Sequence, residues 1–192
     1  MQIIKRMNRS SLLTSSVLTV LLLTTMVASA FANTAGQQES QRQVAEQLSD
    51  FKRNAFEMRR EADALSVVTP GKRLHWQSHA DKLSRLKGQV NNLGKSLANL
   101  EAQKPNAKEH QAMAIEQARP HLVAVADNLT RAIQLVNEDR NSTHGPEYAD
   151  AVNEIYSHAD ALHNKLDTIL DHDTSRMRLE SLNLSPAITE GP

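Results

Sequence analysis

The sequence predicts an all-α protein, an antiparallel four-helix bundle running up-down-up-down, on two observations. Apolar residues recur at alternating steps of three and four in four stretches separated by polar or proline-containing breaks, and no stretch alternates as a half-buried strand would. Apolar residues make up 40% of the chain but aromatics only 3%, so the core has to be built from Leu, Val, Ile, Met and Ala.

Residues 1–32 have the layout of an export signal. Basic Lys5, Arg6 and Arg9 precede an uncharged Leu/Val/Thr run from Leu12 to Val27, and Ala28-Ser29-Ala30 and Ala30-Phe31-Ala32 both fit a small-x-small cleavage site. The uncharged stretch from Ser10 to Gln38 is also long enough for a retained anchor, although Ser and Thr dilute it. Residues 33–39 are polar and aperiodic and read as a flexible leader.

The bundle is expected over residues 40–173. Helix one, Gln41 to Val67, carries Val44, Leu48, Phe51, Ala55, Met58, Ala62 and Leu65 on one stripe, with Ser40 and Gln43 as a capping box. Thr69-Pro70 reads as N-cap and first position of helix two, whose stripe is Trp76, His79, Leu83, Leu86, Val90, Leu93, Leu97 and Leu100. Gly88 and Gly94 weaken that helix or admit a close neighbour. Lys104-Pro105-Asn106 ends it, and Asn106 with Glu109 offers the next capping pair. Helix three carries Ile115, Leu122, Ala126, Leu129, Ile133 and Val136, flanked by Val125, Ala132 and Leu135, with Pro120 expected to kink or break it. After a polar loop from Asp139 to His144, Gly145-Pro146-Glu147 opens helix four, with Tyr148, Val152, Ile155, Ala159, Leu162, Leu166 and Ile169 on its stripe. Residues 174–192 read as a partly disordered tail with a short helical piece near Met177 to Leu182. Four helices of about 40 to 48 Å joined by short connections favour antiparallel neighbours. The two-in-seven stripe of helix one leaves a rival, an elongated helical hairpin that dimerises as a coiled coil.

Composition removes several functions. The chain has no Cys, which excludes disulfides, thiolate metal sites, a Cys nucleophile and a bacterial lipoprotein anchor. Taking Lys5, Arg6 and Arg9 from the 22 basic residues leaves 19 against 22 acidic ones, and this weakly acidic product argues against nucleic acid as a partner.

Chemistry-bearing groups are few. His75 and His79 stand four apart, a spacing that on a helix turns both imidazoles to one face and toward a shared metal ion. If helix two starts at Pro70, His79 lies about 14 Å along it, level with Ile155 of helix four. His158, with Glu154 beside it, then completes a candidate metal site of His75, His79 and His158. A Met58/His79 pair invites comparison with cytochrome b562-like haem proteins, but that family places its ligands near the start of the first helix and on the last, and no Cys-x-x-Cys-His is present. Di-iron Glu-x-x-His pairs, Gly-x-Ser-x-Gly, a P-loop and His-Glu-x-x-His are absent as well. No cofactor is signalled, and the sequence predicts no enzyme. Asp167, Asp171, His172 and Asp173 read as a solvated helix end.

The runs Asn137-Glu138-Asp139-Arg140-Asn141, His144-Gly145-Pro146-Glu147-Tyr148 and Leu74-His75-Trp76-Gln77-Ser78-His79 resemble an uncharacterised group of small exported helical bacterial proteins, over about Leu65 to His172. The resemblance implies an all-helical exported fold and carries no activity with it. The Leu-Thr-x-x-Gln motifs of periplasmic stress chaperones are absent.

The leading expectation is a periplasmic or secreted, non-enzymatic bundle that binds a protein or a cell-envelope component, has no membrane span once the signal is removed, and is open to self-association. The alternative is a metal-binding bundle using the histidine cluster. Signal cleavage is checked by the intact mass of the extracytoplasmic protein, which should begin at Phe31 or Asn33; a full-length membrane-bound species contradicts it.

Overall fold

The computed structural model describes the backbone of residues 15–69 and 75–183, and side chains within 36–69 and 75–171 and at Ser175. Four α-helices are present among them: α1, Ser15–Val68; α2, Trp76–Gln103; α3, Glu109–Glu138; and α4, Pro146–Asn183. Short 3-10 segments at Lys104–Asn106 and Arg140–His144 join α2 to α3 and α3 to α4. No described residue is in a strand, and no helix among them is long and apolar enough to cross a membrane. The expected basic signal region, the Pro70 helix start and the end of the tail lie outside the described residues.

The chain divides into two compact units, Met1–Ser40 and Gln41–Pro192. In the first, residues 33–39 are helical and do not form the expected leader. Ser40 likewise does not cap a helix: it lies inside α1, and its hydroxyl donates to the Gly36 carbonyl one turn back at 3.0 Å. Such back-bonding satisfies the hydroxyl without a helix end.

In the second unit the four stripes meet in one core. Every stripe residue expected on α1, from Val44 to Leu65, is buried. So are Leu83, Leu86, Val90, Leu93, Leu97 and Leu100 on α2, and Tyr148, Val152, Ile155, Ala159, Leu162 and Leu166 on α4. On α3 the buried row is Gln111, Ile115, Ala118, Leu122, Val125, Leu129, Ala132 and Val136, while Ala126 and Ile133 are only half-buried. The spacing alternates four and three in each helix, the pattern that keeps a seam facing its neighbours in left-handed packing. Gln111, the polar member, accepts from the Lys108 amide at 2.9 Å and donates to the Gln41 carbonyl at 3.4 Å.

Side-chain pairs fix the directions. Gln47 meets Gln103 and Glu61 meets Arg85, so α1 and α2 run antiparallel. Lys52 pairs with Asp167 at 2.6 Å and Arg59 with Asp160 at 2.5 Å, which makes α1 and α4 antiparallel as well. Arg119 pairs with Glu101 and Lys104 with Glu116 between α2 and α3, completing the up-down-up-down order.

Three local expectations change. Pro120 does not break α3, because it and Glu116, whose carbonyl it leaves unpaired, both lie on the exposed face where water can serve that oxygen. Asn106 is not the cap of α3; it ends the 3-10 segment, and Lys108 takes the cap position. Helix four runs on through Met177 to Leu182 as one helix with α4. Gly88 and Gly94 are exposed, and a Cβ at either would meet nothing within 4 Å, so they admit no close helix. Gly88→Ala should therefore gain about 0.5 to 1 kcal/mol from helix propensity and raise the thermal midpoint; a lower midpoint would mean that the small residue is required there.

Candidate functional site

The most enclosed polar group of the bundle sits where α2 and α4 both begin. His79, 1% exposed, and Tyr148, fully buried, stack edge to face with ring centroids 5.4 Å apart, and His79 Nδ1 lies 3.0 Å from the Tyr148 hydroxyl. Burial raises the phenol pKa. Burial first, then the neighbouring His144 and Lys82, lowers that of His79 from its usual 6.5. Both groups are thus held neutral, and one hydrogen bond joins the imidazole Nδ1 to the phenol oxygen, its direction set by the His79 tautomer.

The α3–α4 connection closes this end. Asp139 accepts from the Asn141 amide at 2.9 Å to start the 3-10 segment, the Thr143 side chain is buried, and the Arg140 guanidinium lies over the Trp76 ring, 4.3 Å from its centroid. A neutral pair this enclosed works as a polar peg that fixes the register of α2 against α4.

The geometry does not bring His75, His79 and His158 together. His75 is exposed and stands at the N-cap of α2 in an extended conformation, φ −67° and ψ 146°, so it shares no helix face with His79. α2 starts at Trp76, and His79 falls level with Tyr148, one heptad before Ile155. His158 lies about 15 Å further along α4, at 1.5 Å per residue. There its ring is 5.8 Å from that of His121 on α3, and its Nε2 is 3.5 Å from Glu154. Among the described residues, no three His, Cys, Asp or Glu side chains stand where they could hold one ion. Met58 is buried in the core, and the pairing of Glu61 with Arg85 places it about two turns beyond His79. Asp167 and Asp171 are not simply solvated: both pair with Lys52, at 2.6 and 2.9 Å, which lowers the Asp167 pKa.

Sequence reasoning missed His121 and Arg140. Neither has a partner within one helical turn, so only the register between helices exposes them.

The outer surface is uneven. Long ion pairs bridge α1 to α2 through Glu61 with Lys82 and Arg85, and α1 to α4 through Lys52 and Arg59. Among the described residues, ion pairs bridge the α2–α3 seam near one end, through Arg119 with Glu101 and Lys104 with Glu116. Elsewhere it is open. A groove of about 700 Å³ runs past Val90, Gly94, Leu97, Ala98, Leu122 and Val123, and a smaller opening beside Ala80, Ser84 and Ile133 continues it toward the His79 end. Core members in this groove are among the least covered in the bundle, at 8% for Val90, 6% for Leu97 and 5% for Leu122, and Val123 is 51% exposed. Small side chains at Ala80, Ser84, Gly94 and Ala98 leave that apolar floor uncovered.

The fold and these two features define an all-helical bundle with a sealed polar peg at one end and an open groove along the α2–α3 seam. No family model, no curated protein and no solved structure matches the chain, so its function has to be argued from these residues.

A neutral His79 has a consequence for pH. Its pKa lies lower in the folded than in the unfolded chain, so the unfolded state takes up more protons below about pH 6.5 and stability should fall as pH drops from 7 to 5. His79→Gln does not titrate and should flatten that part of the profile in denaturant melts; an unchanged slope would mean that His79 is charged or exposed.

Proposed function

We propose that the chain is an exported, non-enzymatic helical bundle that binds a protein partner along the α2–α3 seam. The observation that carries this reading is the open groove of about 700 Å³ along α2 and α3, floored by the apolar side chains of the core. Its floor of Val90, Leu97 and Leu122, with the outer Val123, suits a partner helix that presents short apolar side chains at steps of three and four. Arg119 and Glu101 on the rim supply charges of both signs that can orient it. Export is supported by the order of basic, apolar and small residues before Asn33.

Gly94→Leu separates binding from folding, because the added side chain enters the groove from a position where a Cβ meets nothing and also favours the helix. A photo-crosslinking residue at Val123, in intact cells, should give one discrete protein adduct. That adduct should be absent with the probe at exposed Asn153 on α4, and lost in the Gly94→Leu background while thermal stability holds. Equal adducts at Asn153, or an adduct that survives Gly94→Leu, would contradict the seam as the binding surface.

A further inference from the structure

We infer, on the reading of the α2–α3 seam as the binding surface, that its occupant is an acidic amphipathic helix of another protein. Short apolar side chains of that helix enter the groove, and its Asp or Glu side chains meet Lys87 and Lys95. Lys87 lines the opening beside Ala80 and Ile133, and Lys95 lines the groove beside Leu97 and Val123. Both lysines are exposed, and among the described residues neither has an ion pair or a hydrogen bond. Farther along the groove Arg119 and Glu101 neutralise each other through two hydrogen bonds. The seam thus carries an excess of two positive charges, in a chain whose 22 basic and 22 acidic residues balance.

The spacing of the charges suits a helix. Lys87 and Lys95 stand eight apart on α2, about 12 Å along its axis at 1.5 Å per residue. A helix laid in the groove passes both when its acidic residues lie about two turns, or seven to eight positions, apart. A helix also pairs its own backbone groups, whereas an extended peptide over the apolar floor of Val90, Leu97 and Leu122 leaves them without partners. Two lysines are too few for an anionic bilayer, which takes clusters of about four to eight basic residues. In this arrangement the apolar floor supplies affinity, and the lysines select the partner and set its orientation.

The photo-crosslinking residue at Val123, in intact cells, tests the charge separately from the seam. Lys87→Glu combined with Lys95→Glu should lower the adduct yield about fivefold or more, whereas Lys87→Arg combined with Lys95→Arg should keep it. Lys165→Glu, at an exposed lysine on the α3–α4 side, should change nothing. Mass spectrometry of the adduct should place the probe on a segment with Asp or Glu about two turns apart. That segment, made as a peptide, should bind the purified full chain about threefold or more weakly at about 0.3 M than at about 0.05 M NaCl. Thermal melts by dichroism report whether each variant folds, and Lys87→Gln with Lys95→Gln replaces the reversed pair if it does not. An adduct lost in Gly94→Leu but indifferent to both lysine reversals would overturn the acidic partner and leave the seam standing. An adduct to lipid, or to a second copy of this chain, would overturn it as well. No adduct at Val123, or one that survives Gly94→Leu, would overturn the seam and the acidic partner together.

Discussion

Everything in the bundle depends on one constraint: four helices present apolar side chains at alternating steps of four and three, and these rows can be dry only against one another. Each Leu, Val, Ile or Met so buried contributes about 1.5 to 3 kcal/mol, whereas an exposed ion pair contributes about 0 to 1 kcal/mol. The rows from Val44 to Leu65 and from Tyr148 to Leu166 therefore set the architecture. The charged pairs between Lys52 and Asp167 or Arg59 and Asp160 are read best as markers of register. With so few aromatic residues, the core holds few large rigid side chains beyond Phe51 and Tyr148, and the enclosed contact of Tyr148 with His79 supplies a directional element that aliphatic packing lacks.

That contact and the open seam are two outcomes of the same packing. At the end where α2 and α4 begin, the chain between α3 and α4 folds over the core, places Arg140 on Trp76 and seals the polar pair. Along α2 and α3 no comparable cover exists, because Ala80, Ser84, Gly94 and Ala98 are too short to reach across. α3 also packs more extensively on α4 than on α2. His121 and His158 meet on the α3–α4 side, and the core members Val90 and Leu97 are among the least covered on the α2–α3 side, where Val123 stands out of the surface.

Much of this could be read from residue order alone. The stripes of α1, α2 and α4 needed only the period of Leu, Val and Ala, since burial follows periodicity directly. On α3 two adjacent rows were both apolar, and the choice of Ala118, Val125 and Ala132 over Ala126 and Ile133 depended on which neighbour α3 faces. The histidine cluster was misplaced for a similar reason. Thr69-Pro70 has the form of a helix start, but α2 begins at Trp76, His79 stands one heptad earlier against α4 than expected, and His75 lies outside the helix. Ser40 and Gln43 have the form of a capping box, yet nothing after Ser15 ends the helix before them. The His121 contact with His158 required a register between helices that no local pattern encodes.

The central claim is that the bundle is held by its stripes and is least secured along the α2–α3 seam. Native-state hydrogen exchange, resolved by residue, tests it most directly. Amides near Phe51 in α1, Leu129 in α3 and Leu162 in α4 should exchange only through global unfolding, while those from Leu83 to Leu97 in α2 should exchange through a smaller opening of lower free energy. Protection of α2 equal to that of α3 and α4 would contradict the account.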